Sequence, residues 1–255
     1  MWEPAAQGRL RTPAAIIRGV TARLDISVVI PTLNERANLE LLLPDLWRIL
    51  GSLGLRAEVL VLDGASSDGT REVAERWGAR AIAVLRGGYG EATRVGLSES
   101  AGEYVVTMDA DLSHAPEVVA RLWAVRDPLG VGIASRYVRG GTADMSRFRW
   151  LLSRALNAAF ARGLALPARD LSSGCRSYPA AAVRVLRPRG SDFDVLLELL
   201  VRAHTSGWRI VEVPFDYAPR RSGSSKARVV KLGLAYARTF VSLWRLRNSI
   251  PGAVK

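Results

Sequence analysis

The chain has 255 residues, and its 36 Lys and Arg against 24 Asp and Glu leave a formal net charge of +12. A charge of this size indicates a polyanionic partner such as nucleic acid, an anionic membrane or phosphorylated substrates. Hydrophobic residues make up 49% of the sequence, which suffices for a folded core and excludes a disordered chain. The single cysteine, Cys175, excludes an internal disulfide and a cysteine-based zinc cluster, so that a reducing, cytosolic setting is expected.

Apolar runs alternate with amphipathic stretches along the first half of the chain. Strands are predicted at 26–30, 59–62, 81–85, 104–108 and 131–135, and helices at 38–53, from 67 or 68 to 77, at 91–100 and from Pro116 onward. This alternation favours an α/β fold with a mostly parallel central sheet flanked by helices. The second half is less regular, and helices are predicted at 146–164 and 192–206 with a strand at 209–214.

Both ends of the chain are basic, and we predict a basic arm over 1–24, one domain over 25–226 and a basic amphipathic helix over 227–255. The arm has no long apolar run, so it does not read as a secretory signal, and no stretch reaches the roughly 20 apolar residues that cross a bilayer. In the tail, the apolar residues Val229, Leu232, Tyr236, Phe240 and Leu243 recur at helical spacing. A membrane-facing basic stripe and an ordinary solvated helix face both stay open, with Trp244 favouring the first.

Acidic residues follow several of the predicted strands. Glu35 and Asp63 come after the first two strands, and Asp109 and Asp111 end the fourth. Ligands of open parallel sheets bind at the carboxyl ends of strands. Residues two apart in extended backbone point to the same side, and paired carboxylates suit Mg²⁺ or Mn²⁺. A lone pair of this kind also occurs in solvated loops, but here it closes an apolar strand, which favours a metal site.

Three segments in chain order, SVVIPTLNERANL (27–39), DGASSDGT (63–70) and MDADLSHAPE (108–117), resemble the family-2 glycosyltransferases of the GT-A fold. Three later segments, ASRYVRGG (134–141), RDLSSGCRSY (169–178) and VEVPFDYAPRRSGSSK (211–226), resemble the polyprenol-phosphate sugar synthases, the branch that includes dolichol-phosphate mannose synthase. The resemblance covers about residues 25–226. It implies a GT-A nucleotide-diphospho-sugar transferase fold and a catalytic domain over 25–226.

The resemblance also implies site residues. The expected donor-binding residues are Pro31, Leu33, Glu35, Val61, Asp63, Asp109, Ala110, Asp111, Arg136, Arg220 and Lys226. Asp109, Asp111 and Ser113 would hold Mg²⁺ or Mn²⁺. The acceptor phosphate would be received by Arg136, Arg149 and Ser153. Asp109, Asp111 and Arg136 would be the catalytic residues, and the two histidines, His114 and His204, are interpreted as structural.

The implied reaction is a metal-dependent, inverting transfer of a sugar, preferably mannose from GDP-mannose, to polyprenyl phosphate. The expected partners are these two substrates, an anionic membrane surface and a membrane protein, but not nucleic acid. The enzyme would be peripheral at the cytoplasmic face of the membrane. Leu33 stands where mannose synthases often have tyrosine, and Asp194 where relatives often have lysine. A UDP-sugar donor of the glucose or GlcNAc type, a non-lipid acceptor, and a non-enzymatic basic membrane-binding protein therefore remain as alternatives.

Overall fold

A computed structural model describes residues 23–84, 88–218 and 229–249 of the protein. The strands are β1 (Ile26–Thr32), β2 (Ala57–Asp63), β3 (Arg80–Ala83), β4 (Tyr104–Thr107), β5 (Gly130–Ser135), β6 (Thr142–Ala143), β7 (Arg176–Pro179), β8 (Arg209–Pro214) and β9 (Asp216–Tyr217). The helices are α1 (Arg36–Ser52), α2 (Thr70–Arg76), α3 (Tyr89–Glu99), α4 (Val118–Ala124), α5 (Arg147–Leu164), α6 (Ala180–Leu186), α7 (Asp194–Thr205) and α8 (Val229–Ser249). The described residues do not include 1–22 of the predicted arm, Arg220 or Lys226, nor the side chains of Val229, Leu232 and Tyr236.

Seven strands form the central sheet in the order β3-β2-β1-β4-β7-β5-β8, and β6 and β9 form a separate parallel pair. All neighbouring strands of the large sheet run parallel except β7, which is antiparallel to both β4 and β5. The chain reaches β7 from a loop at the carboxyl edge of the sheet, so that β7 has to run back across it. The loop before β7 is thereby held at the same edge as the ends of β1, β2 and β4.

The sheet is buried on both faces because alternate strand residues pack against different helices. Val28 and Ile30 of β1 pack with α1, α2 and α4, while Val29 faces α3 and the cluster built with α6 and α7. The 3.6-residue spacing of apolar residues in α1, such as Leu39, Leu42 and Leu46, puts them on one buried face. The result is the three-layer α/β arrangement that the strand–helix alternation predicts.

The strand order reverses beside β1. The chain proceeds from β1 to β2 and β3 on one side, and α3 then carries it back to β4 on the other side. Crevices that bind ligands in open α/β sheets form at such a reversal, at the carboxyl ends of the strands. In this protein the reversal lies between the ends of β1 and β4, which carry Glu35, Asp109 and Asp111.

The strands and helices predicted from the sequence are confirmed, with shifts of a few residues at their ends. The sequence analysis did not predict β6, β7, β9 or α6. In the tail, α8 is helical over Val229–Ser249, with Leu243 buried and Trp244 47% exposed, as the predicted amphipathic pattern requires. Among the described residues, no helix has both the length and the apolar character needed to cross a bilayer.

A glycine at the start of β4 is required by close backbone packing. A Cβ atom at Gly102 would lie 2.5 Å from the carbonyl carbon of Ile26 and 2.6 Å from the nitrogen of Ser27. These are backbone atoms of a central strand, so they cannot move aside as a flexible side chain would.

We therefore expect Gly102→Ala to lower the free energy of unfolding by about 1–3 kcal/mol, the usual cost of overpacking. Gly51→Ala in α1 is the matched control, because a Cβ at Gly51 has nothing within 4 Å, and it should raise the free energy of unfolding by about 0.4–1 kcal/mol. Urea denaturation measures both values. Equal stability of the two variants would contradict this interpretation of the packing.

Candidate active site

A cavity of about 580 Å³ opens at the carboxyl edge of the sheet, beside the reversal in strand order. Its walls come from the loop after β4, the end of β5, the loop before β7, the start of α5 and the β9 segment. The lining residues are Asp109, Asp111, Ser113, His114, Arg136, Asp144, Met145, Ser146, Arg149, Ser172, Ser173, Gly174, Phe193, Phe215 and Tyr217. Carboxylates and guanidinium groups thus share one cavity, which is the composition expected where a cation and phosphate groups are bound together.

Asp109 is held in place from two sides. The Tyr89 hydroxyl, at the start of α3, donates a hydrogen bond to Asp109 Oδ1 at 3.2 Å. On the other side, a Cβ at Gly174 would lie 2.7 and 2.9 Å from the two carboxylate oxygens of Asp109, so only glycine allows this approach. Tyr89 stacks on Phe193 with ring centroids 4.4 Å apart. Burial, followed by the charge of Asp109, raises the pKa of Tyr89 well above its ordinary value, which keeps the hydroxyl a donor.

Asp111 lies in a tight turn at the end of the same strand. The Ser113 backbone N–H donates to Asp111 Oδ1 at 3.0 Å, and Leu112 between them has a left-handed backbone with φ of 61°. Non-glycine residues adopt this conformation at a cost, and such residues concentrate at functional sites. The turn fixes the direction of the Asp111 carboxylate relative to that of Asp109.

His114 lies deeper in the cavity wall than the sequence indicates. It is buried and stacks on Phe215 with ring centroids 4.4 Å apart. Its Nδ1 lies 3.1 Å from the Ser113 hydroxyl and its Nε2 lies 3.5 Å from that of Ser173. Burial lowers the pKa of His114 to about 4, so the ring is neutral at neutral pH. It connects the loop after β4 to the loop before β7, which agrees with the structural role expected for it.

Arg136, at the end of β5, is paired with a carboxylate that the sequence analysis did not single out. Its Nε and Nη2 atoms donate to Asp170 Oδ2 and Oδ1 at 2.8 and 2.7 Å, and Nη2 also donates to Ser172 Oγ at 2.6 Å. Asp170 is fully buried and the Arg136 side chain is 11% exposed. Burial alone would raise the pKa of Asp170, but the hydrogen bonds and charge of Arg136 outweigh it and the net direction is down.

Arg149 and Ser153 lie on α5 but have different surroundings. Ser146 caps this helix by accepting a hydrogen bond from the Arg149 backbone N–H at 3.4 Å, and Arg149 lines the cavity. Ser153 accepts a hydrogen bond from the Tyr137 hydroxyl at 2.7 Å and is not among the residues that line the cavity. The structure therefore brings Arg136 and Arg149 together, with Ser153 one turn further along the helix.

A second group of predicted donor residues lies at the ends of β1 and β2. The carboxylate of Asp63 accepts the Ser66 backbone N–H at 3.2 Å, and Glu35 accepts a hydrogen bond from the Asn38 amide at 2.6 Å. Leu33 is 42% exposed and Pro31 is half-buried, so both are accessible to a ligand at this edge.

Val61, also in the predicted donor-binding set, lies inside β2. Its side chain is 0% exposed and belongs to the core under α1, and its part in donor binding stays a prediction. Val61 and Asp63 are two residues apart and point to the same side of the sheet, but Asp63 ends the strand and so lies at the carboxyl edge.

Several residues in and around the cavity were missed because their importance depends on distant partners. Tyr89 begins α3 and Phe193 directly precedes α7, and Gly174 matters only because Asp109 lies against it. Asp170 and Gly174 belong to the RDLSSGCRSY segment that carries the family resemblance, which is the signal that could have identified them. Asp194, which differs from many relatives, accepts the Asp192 backbone N–H at the start of α7 and is not among the cavity-lining residues.

The residues present fit a hard divalent cation. Mg²⁺ is commonly bound by one or two carboxylates completed by substrate phosphates and water, and Asp109 and Asp111 open onto the cavity with the Ser113 side chain beside them. Within the described ranges, no group of three or more His, Cys, Asp or Glu residues comes together as a cation site. We therefore expect tight cation binding to require the phosphates of a bound nucleotide.

The buried Arg136–Asp170 pair gives a stability prediction. Removing one partner of such a pair typically costs about 3–5 kcal/mol, so we expect Asp170→Asn to lower the free energy of unfolding by about 3 kcal/mol at neutral pH. Because the pKa of Asp170 is depressed in the folded protein, this contribution is present above its ordinary value of 3.8 and is lost as the pH falls below it.

Urea denaturation at several pH values measures the loss. Glu75→Gln is the control, since Glu75 pairs with Arg71 on the surface, where both side chains are about half exposed, and it should change the free energy of unfolding by less than about 1 kcal/mol. A loss from Asp170→Asn that is no larger than that of the control would contradict the assignment of a buried ion pair.

Comparison with known proteins identifies the family of the chain. Residues 27–186 match the glycosyl transferase family 2 pattern. Among characterised relatives, the dolichol-phosphate mannosyltransferase of Pyrococcus furiosus is 35% identical over 245 residues, covering 91% of this chain and 67% of that protein. The undecaprenyl-phosphate 4-deoxy-4-formamido-L-arabinose transferase of Edwardsiella ictaluri is 31% identical over 217 residues, covering 81% of this chain and 64% of that protein.

The chain thus spans about two thirds of the length of both relatives. Among solved structures, glucosyl-3-phosphoglycerate synthase of Mycobacterium tuberculosis superposes with a TM-score of 0.67 at 24% identity, covering 89% of this chain and 81% of that one. That structure contains Mn²⁺, UDP and glucosyl-3-phosphoglycerate. This likeness shows the same GT-A fold. The family match, the identity to the two transferases and the shared fold together show that the chain belongs to glycosyl transferase family 2.

Proposed function

We propose that this protein transfers a sugar, with mannose preferred, from a nucleotide diphosphate sugar to polyprenyl phosphate, and that the product is a polyprenyl-phosphate β-sugar. The observation that carries the proposal is the shared cavity, in which Asp109 and Asp111 face a space that is also lined by Arg136 and Arg149. Arg149 is exposed in this cavity, and Arg136, paired with Asp170, is a fixed N–H donor beside it. Both favour an anionic acceptor, because its phosphate has to approach the donor diphosphate despite like-charge repulsion.

The names of the two curated relatives support the acceptor class. One is a dolichol-phosphate transferase and the other an undecaprenyl-phosphate transferase, so a polyprenyl phosphate is common to both while the sugars differ. Mannose is proposed because the relative with the higher identity is a mannosyltransferase.

On the donor side, we propose that Pro31, Leu33, Glu35 and Asp63 bind the nucleoside at the ends of β1 and β2. Asp109, Ala110 and Asp111 would lie along the diphosphate. Arg220 and Lys226, outside the described residues, are proposed to contact the donor from the part of the sequence that follows β9. This arrangement runs the donor along the carboxyl edge, from the end of β2 across β1 to the end of β4.

Mg²⁺ or Mn²⁺ is the proposed cofactor, held by Asp109 and Asp111 with Ser113 nearby. When bound, such a cation offsets the negative charge that develops on the leaving diphosphate. Mn²⁺ or Mg²⁺ with UDP in complexes of the mycobacterial synthase supports this assignment. Tyr89 and Gly174 would contribute by fixing the Asp109 carboxylate before substrates arrive, which avoids reorganisation during the reaction.

On the acceptor side, the phosphate oxygen is itself the nucleophile. It is ionised near neutral pH and needs little help from a general base, so a neutral, buried His114 presents no difficulty. Arg149 would receive the acceptor phosphate, with Ser153 one turn away on α5. Arg136, fixed by Asp170, would add a positioned hydrogen-bond donor at the cavity wall. Most of the rate enhancement would then come from positioning and electrostatics.

A UDP-sugar donor of the glucose or GlcNAc type is the second candidate function. Leu33 is exposed at the proposed nucleoside edge, in place of the tyrosine that is frequent in mannose synthases. The UDP complexes of the mycobacterial synthase have the same fold. The non-enzymatic alternative, a basic membrane-binding protein, does not explain why the carboxylates of Asp109 and Asp111 are held in fixed positions inside a cavity.

The enzyme proposal is tested by Asp109→Asn, which keeps the shape of the side chain and removes its charge. We expect kcat for sugar transfer to polyprenyl phosphate to fall by at least about 100-fold, because charge on the leaving diphosphate loses its stabilisation. Asp45→Asn, at an exposed pair with Arg48, is the matched control and should leave the rate unchanged. Transfer is followed with radiolabelled nucleotide sugar. Transfer by Asp109→Asn at the wild-type rate would contradict the proposal.

We also propose that the protein is peripheral at the cytoplasmic face of an anionic membrane, with α8 contributing to attachment. Phe240 packs edge-to-face on Phe160 of α5 with ring centroids 5.2 Å apart, and Leu243 is buried. Trp244 and Arg245, one and two residues further along α8, are exposed. An exposed tryptophan beside arginine is suited to a lipid headgroup region.

The Trp244→Ser/Arg245→Glu variant should therefore bind anionic vesicles at least about fivefold more weakly than the wild type in co-sedimentation. It leaves the packing of Phe240 and Leu243 intact, unlike deletion of 227–255. Arg71→Glu, on the opposite side of the sheet in α2, controls for the change in net charge and should have a smaller effect. Equal binding by the α8 variant and the wild type would exclude α8 from membrane attachment.

A further inference from the structure

Phe193 is an exposed apolar side chain in a cavity that is lined mainly by polar residues. It is 52% exposed and lines the cavity at the carboxyl edge together with Asp109 and Asp111. Phe215, another aromatic residue of the cavity wall, is 3% exposed and stacks on His114, so it offers little surface to a ligand. Keeping a phenyl ring in contact with water costs free energy, which burial against a ligand would recover.

The ring of Phe193 has a defined position beside the paired carboxylates. It stacks on Tyr89 with the two ring planes 22° apart, and the Tyr89 hydroxyl donates to Asp109. The phenyl ring therefore lies next to the carboxylate that is proposed to hold the cation. Since Tyr89 covers one face of the ring, the exposed fraction belongs to the opposite face and to the ring edges.

The segment that leads to Phe193 is fixed by hydrogen bonds from two helices. Glu198, on α7, accepts hydrogen bonds from the backbone N–H groups of Arg189 and Gly190 at 2.8 and 2.7 Å. The Arg94 guanidinium, on α3, donates to the Gly190 carbonyl at 2.6 Å. An exposed aromatic ring that is already held in place loses little conformational entropy when it contacts a ligand.

The charged groups of the cavity indicate which part of the substrates meets this ring. The carboxylates and arginines suit the cation and the two phosphate-bearing groups, and an uncharged aromatic ring suits neither. The sugar of the donor is uncharged and is bonded to the diphosphate, so it lies near Asp109 and Asp111 when the diphosphate does. A pyranose ring presents several C–H groups on one face, and these pack on the electron-rich face of an aromatic ring.

We propose that the sugar of the donor stacks on Phe193, and that this contact selects an uncharged pyranose and fixes the plane of its ring. The inference rests on the proposed function for the class of donor, and it assigns to Phe193 a direct contact with the transferred group. A sugar acid is disfavoured at this place, because its carboxylate would meet the negative face of the ring and two further carboxylates. Stacking leaves the sugar hydroxyls free to bond with the polar residues of the cavity.

Phe193→Leu tests the stacking contact, because it keeps an apolar side chain against Tyr89 and removes the aromatic face. Isothermal titration calorimetry in the presence of Mn²⁺ measures the Kd of GDP-mannose, UDP-glucose and UDP-GlcNAc and of the matching nucleoside diphosphates, GDP and UDP. We expect the Kd of the preferred nucleotide sugar to rise about tenfold, while that of its nucleoside diphosphate stays within about twofold of the wild-type value. Phe193→Tyr, which keeps the ring, should bind both as the wild type does.

Phe148→Leu is the matched control, since Phe148 is 77% exposed and is not among the residues that line the cavity, and it should leave every Kd unchanged. An equal loss of affinity for nucleotide sugar and nucleoside diphosphate in Phe193→Leu would overturn the proposal, because Phe193 would then act only by supporting Tyr89 and Asp109. Unchanged affinity for both would overturn it as well.

The titrations need no acceptor, so they separate this inference from the proposed function. If the wild type binds a nucleotide sugar but forms no polyprenyl-phosphate sugar, the proposed acceptor is wrong, and the comparison of the two Kd values still decides the role of Phe193. A wild type that binds none of the three nucleotide sugars would overturn both.

Discussion

The cavity at the carboxyl edge of the sheet is held in shape by the buried ion pair between Arg136 and Asp170. This pair joins the end of β5 to the loop before β7, and the backbone N–H groups of Arg169 and Asp170 donate to the Glu212 carboxylate on β8, both at 2.9 Å. The same loop continues to Gly174, which lies against Asp109 at the end of β4. The ends of β4 and β5 and the strand β8 are thereby fixed relative to one another, so that the carboxylates and the cavity arginines hold their spacing without a bound ligand.

The net charge of +12 acquires a structural meaning once its positions are known. Arg136 is paired with Asp170 and acts as a fixed hydrogen-bond donor, while Arg149, the other arginine among the described residues that line the cavity, is exposed. The remaining arginines of α5 lie along its exposed surface, and Arg245 lies on α8, which packs against α5. The basic residues on this side of the protein therefore favour the proposed phosphate and anionic-membrane partners over nucleic acid.

Much of the fold could be predicted from the sequence because its strands are continuous apolar runs and its helices have clear apolar spacing. β7 was not predicted because its four residues include an arginine and a proline. Its place in the sheet depends on the buried Arg176, whose guanidinium donates hydrogen bonds to the carbonyls of Leu171, Ser173 and Leu196. Asp109, Asp111 and Arg136 were found because motifs mark strand ends. Asp170 and Tyr89 were not, because each acts through a partner 20 or more residues away. The burial of Val61 was not predicted, since a motif position does not reveal which way a strand residue points.

The most direct test of the proposed activity is to incubate the protein with polyprenyl phosphate and a panel of GDP- and UDP-sugars, with and without Mn²⁺, and to identify any lipid-linked sugar by mass spectrometry and NMR. We expect a β-linked polyprenyl-phosphate sugar, formed best from GDP-mannose and only when the cation is present. Formation from a UDP-sugar alone would favour the second candidate function. Failure to form any polyprenyl-phosphate sugar across the panel, with a folded protein and the cation present, would contradict the central claim.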